Sequence, residues 1–144
     1  LNKEGYNNID GADASAKFIA HCEGTGWYRD LGCFYFGANV FPDKFKNKFD
    51  CVTASGVLMP NHFPPAALDD IHVCLKVGGY MVTAMRSYLY IDGDSHGYKD
   101  KLNELVREGK FKIVSKGDFT RGSKGGIELF AEQPSIFVVM QKLV

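Results

Sequence analysis

The stretch NIDGADASAKFI, residues 8–19, decides how this chain is read. Apolar and small residues run up to Asp13, Ala14 and Ser15 make a turn, and Lys17, Phe18 and Ile19 continue at helical spacing. The segment therefore reads as strand, turn and helix with an acid at the strand tip. In open α/β sheets ligands bind at such tips, where a carboxylate commonly grips a ribose. The glycine-rich phosphate or cofactor loop that goes with it normally lies about 20 residues upstream. Only 12 residues precede Asp13. A second reading makes Asp13 a helix N-cap, since Asp ahead of a helical run accepts a backbone N–H bond.

The composition bounds what surrounds this element. A chain of 144 residues, 45% hydrophobic and 24% charged, has the make-up of one ordinary globular domain with a sizeable core. Basic and acidic residues number 17 each, so no global charge draws it to nucleic acid or an anionic membrane, and neither partner is expected. No run approaches the ~18 apolar residues of a membrane-spanning helix, and LNKEGYNN carries no apolar signal region, so the expected location is cytoplasmic. The cysteines at 22, 33, 51 and 74 form no CxxC pair and read as reduced, mostly buried thiols. His21 and Cys22 are neighbours on a helix and point apart, so no metal site is expected.

Beyond the opening unit, strands and helices alternate. LGCFYFGANV is aromatic and apolar enough for a strand, and FDCVTASG is a β-branched run ending in small residues. In PPAALDDIHVCLK the prolines suit a first turn, Ala67, Leu68, Ile71, Cys74 and Leu75 recur at helical spacing, and Gly78 and Gly79 are expected to end the helix before the strand YMVTAMR. Tyr98, Leu102, Leu105 and Val106 share a helix face that Gly109 terminates, and FKIVSK and SIFVVMQKLV close the chain as strands. Such alternation implies an α/β fold with a mostly parallel sheet covered on both faces.

GADAS, FDCVTASG, LDDIHVCLKVGGYMVTAMR and GYKDKLNELVREGKF, in this order, resemble the class I S-adenosylmethionine-dependent methyltransferases from their second strand to their end. Within that superfamily they are similar to the methyltransferase-like family of the Williams-Beuren chromosomal region. The resemblance implies a Rossmann-like sheet with an antiparallel last strand. It also implies that residues 1–144 form a partial methyltransferase-like domain whose first strand and helix are missing. It assigns Asp13 to the cofactor ribose, and Ala14, Asn39 and Ser55 to further cofactor contacts, with S-adenosylmethionine as the cofactor. Asn39, in GANVFP, stands where the family often has an acid for the adenine amino group. The missing strand is central in the family's sheet order, between the strands carrying GADAS and FDCVTAS. A longer chain or a partner chain is therefore expected to complete the sheet.

His62, in MPNHFPP, follows the FDCVTAS strand, where this class places substrate-facing residues. It reads as a general base or as a solvated loop histidine. Arg86, Tyr88 and Tyr90 follow the next strand at the ligand edge, to orient a substrate or to pack under a loop. GDFTRGSKGG has the GxxxxG of a phosphate loop, but Ser123 and Lys124 stand in the wrong order, so a loop between the last strands is expected. A sulfonium methyl is already activated, which leaves the protein mainly to align the reactants and exclude water, so no fixed triad is expected. The expected substrate is a small molecule or a protein. The alternative is a methyltransferase-derived interaction or assembly subunit without catalysis, motivated by the missing glycine loop and the aromatic run CFYFGANVF.

Overall fold

A computed structural model describes residues 1–38, 40–121 and 133–144. The chain divides into two compact units, Leu1–Phe36 and Gly37–Val144.

The first unit is built on the decisive stretch. A 3-10 turn, Asn2–Glu4, leads to strand β1 (Asp10–Asp13), helix α1 (Ala16–Glu23) and strand β2 (Asp30–Cys33). β1 and β2 pair in parallel, Asp10 beside Asp30 and Asp13 beside Cys33. Ser15, not Asp13, caps α1: its hydroxyl accepts from Phe18 N–H at 3.4 Å. At the other end the Thr25 hydroxyl donates to the Cys22 carbonyl at 2.7 Å, satisfying one of the helix's last acceptors. Gly11 is required by packing, since a Cβ there would stand 2.9 Å from both Leu31 Cδ2 and Tyr28 Cε1. Arg29 clamps the buried Asp10 carboxylate through two 2.8 Å bonds and also donates to Asn8. The strand expected over LGCFYFGANV stops at Cys33; Phe34 and Phe36 follow as a tilted ring pair, centroids 4.9 Å apart.

The second unit holds a four-stranded sheet in the order β3-β4-β6-β5, with β3 at Phe49–Ser55, β4 at Leu75–Arg86, β5 at Phe111–Arg121 and β6 at Gln133–Lys142. Helix α2 (Ala67–Cys74) joins β3 to β4, and α3 (Tyr98–Arg107) lies between β4 and β5. β3 and β4 are parallel, and β6 runs antiparallel to both β4 and β5, so the last strand alone is reversed. Leu68 and Ile71 of α2, Tyr98, Leu102 and Leu105 of α3, and Met81, Met85, Val138 and Met140 of the sheet form one buried cluster. Both helices therefore cover the same face. On the other face Cys51, Thr53 and Ser55 are exposed, and Val82, Ala84 and Val139 are half-buried.

The helix expected to run to Gly78 ends instead at Cys74, and β4 begins at Leu75. Lys142 supplies the reason. It is buried, and its ammonium donates to the carbonyls of His72 and Leu75 at 2.9 Å and to Asn47 Oδ1 at 3.2 Å. A lysine from the last strand thus satisfies the helix-end carbonyls that a glycine cap would otherwise serve. Gly78 and Gly79 fall beside an irregularity in the β3–β4 register, where a Cβ on Gly79 would meet backbone oxygens of Lys76, Asp50 and Phe49 at 2.9 to 3.1 Å.

Candidate functional site

Asp13 and Ala14 sit at the C-terminal tip of β1. Asp13 Oδ1 accepts from Ser15 N–H at 2.7 Å, an Asx turn that fixes the carboxylate at the strand tip while the side chain stays exposed. The same turn leads into the Ser15 cap, so one local device orients the acid and starts the helix. The Ala14 carbonyl faces the Cys33 thiol, Sγ to O 3.8 Å. The described residues ahead of β1 form a 3-10 turn closed by Gly5 and then a segment without regular secondary structure. They contain no strand followed by a glycine-rich turn.

The second unit carries Ser55, His62, Arg86 and Tyr88. Ser55 ends β3 in register with Ala84, and Gly56 N–H donates to the Ala84 carbonyl at 2.9 Å. Because side chains alternate along a strand, Ser55, Ala84 and Arg86 share the face opposite the helices. Tyr88 follows in a 3-10 turn, Ser87–Leu89, and is half exposed. Asn39 lies outside the described residues, as do positions 122–126 of GDFTRGSKGG; positions 117–121 belong to β5. The segment leading to Asn39 is tethered at Gly37, whose N–H donates to Asp70 Oδ2 at 2.5 Å. Gly37 has φ +77, and a Cβ there would stand 2.9 Å from Pro64, so both backbone and space demand glycine.

His62 sits in a tight loop: its N–H donates to the Met59 carbonyl at 3.1 Å, Asn61 adopts φ +63, and the imidazole is exposed. The residue that places this loop is Tyr98, whose hydroxyl donates to the Phe63 carbonyl at 2.8 Å. Tyr98 is buried, and its pKa is raised by that burial, by Asp94 and by Tyr88, so it remains a donor at neutral pH. It bonds the loop after β3 to the start of α3. The sequence marks Tyr98 only as a member of an apolar helix face. The carbonyl it reaches is 35 residues away and leaves no local signal.

Asp94 lies between β4 and α3. Its Oδ2 is buried and has no hydrogen-bond partner among the described residues. Of the cysteines, only Cys74 is buried, its thiol pushed up to about 12 by burial; Cys33 and Cys51 are exposed and Cys22 is half-buried, which corrects the expectation of mostly buried thiols. All are free. Among the described residues no group of three or more His, Cys, Asp or Glu could hold a metal ion, and no helix is long and apolar enough to cross a membrane.

No protein-family model and no curated protein sequence matches the chain. Solved structures do match. A SAM-dependent methyltransferase from Methanosarcina mazei superposes with TM-score 0.65 at 12% identity, over 95% of this chain and 82% of that one. The N-methyltransferase NodS from Bradyrhizobium japonicum WM9, in complex with S-adenosyl-L-homocysteine, gives 0.64 at 14% identity, over 94% and 66%. The [4+2]-cyclase SpnF gives 0.63 at 19% identity, over 95% and 67%. The fold is therefore the Rossmann-like fold of SAM-dependent methyltransferases, with an antiparallel last strand. The cyclase among the matches illustrates that this fold does not fix one reaction.

Proposed function

We propose that residues 1–144 are a methyltransferase-like domain, similar to the Williams-Beuren-region family, that binds S-adenosylmethionine and transfers its methyl group to a small-molecule or protein acceptor in the cytoplasm. The observation that carries the reading is the acid at the β1 tip: Asp13 is exposed, held by the Ser15 amide, and at the ligand edge of a parallel strand pair. Asp13 accepts from the ribose hydroxyls, with Ala14, Asn39 and Ser55 completing the cofactor contacts. Arg86 and Tyr88 orient the acceptor, and His62, on the loop that Tyr98 pins, takes the proton that the acceptor loses. When bound, the cofactor supplies an activated methyl group on sulfur.

A strand and a glycine-rich turn from a preceding segment or a partner chain complete the site. What supports this is the pairing of the strands. Among the described residues β1 hydrogen-bonds only to β2, and β3 only to β4, so each has an edge able to accept another strand. Calorimetric titration of S-adenosylhomocysteine into a form extended by such a segment tests the proposal. Binding is expected, and Asp13→Ala should weaken it by about 1–3 kcal/mol, the cost of leaving ribose hydroxyls without their charged acceptor. Unchanged affinity in the variant would return Asp13 to a purely local role in the turn.

A further inference from the structure

We draw no further inference here: the strongest candidate, the face of the four-stranded sheet opposite α2 and α3, where Cys51, Thr53 and Ser55 are exposed and Val82, Ala84, Phe137 and Val139 are half-buried, carries nothing because nothing in the structure shows what covers it.

Discussion

The two units solve the same problem with unequal means. The second sets two helices on one face of a four-stranded sheet and buries Leu58, Leu68, Leu75, Leu89, Leu102, Leu105, Met81 and Met140 completely or nearly so. The first folds a parallel strand pair around one short helix, and among its described residues Ile19 is the only buried large apolar side chain. Its order comes from polar devices: the Ser15 cap, the Asp13 turn and the Arg29 clamp on Asp10. Burial of apolar area is the dominant favourable term in folding, and exposed polar contacts each contribute about 1 kcal/mol or less. The acid proposed to hold the cofactor therefore stands on the weaker scaffold, and the residues proposed to hold the acceptor stand on the stronger.

The largest effect that could break this comparison is in the cores. Leu102→Ala, at a site 1% exposed, should cost about 2–5 kcal/mol in denaturant unfolding, whereas Phe18→Ala, at a site 65% exposed on α1, should stay within about 0.5 kcal/mol. Comparable losses would mean that Phe18 is covered in solution and that the first unit has apolar support its own residues do not supply. A smaller effect sharpens the contrast. Ser15→Ala should remove the α1 cap at a cost of about 1 kcal/mol, read as faster amide exchange over Ala16–Glu23 with α2 and α3 unchanged. Equal loosening of all three helices would show that the units open together.

Much of the fold was legible because period and turn chemistry agree in this chain. The apolar spacing from Ala67 to Cys74 and from Tyr98 to Val106 places α2 and α3, and the small-residue tip at Asp13 and Ser15 places the first strand-to-helix turn. What the sequence concealed depends on partners far along the chain. Gly78 and Gly79 look like a helix stop until Lys142, 67 residues beyond Leu75, is found on the helix-end carbonyls. The aromatic run after Gly32 looks like strand, yet β2 stops at Cys33, and Gly37 takes a left-handed φ of +77 with its amide bonded to Asp70. The candidate site divides in the same way. Asp13, Ser55 and Arg86 were readable as residues at strand ends, whereas Tyr98 matters through a distant carbonyl that has no local sequence pattern.

The smallest expected effect concerns the seam that closes the stronger unit. The His72 ring nitrogen lies 2.8 Å from the Val144 carbonyl oxygen, and the ring packs edge-on against Phe111 with centroids 5.3 Å apart. Burial lowers its pKa below 6.5, the charge of Lys142 lowers it further and Lys110 adds slightly, while the bond to Val144 and the charge of Asp69 oppose the shift. A folded-state value below the unfolded one means that the unfolded chain takes up the proton first on acidification. Stability should therefore be undiminished above about pH 6.5, decline as pH falls below it, and carry the full loss once pH is below the folded-state value. His72→Gln retains a polar side chain without the titration, so the variant should lose less stability than the wild type between about pH 7.5 and about pH 5 in urea unfolding. Identical pH profiles would mean that His72 is as well solvated in the folded protein as in the unfolded chain, and that the C-terminal end of β6 does not hold α2 as tightly as the bonds of Lys142 imply.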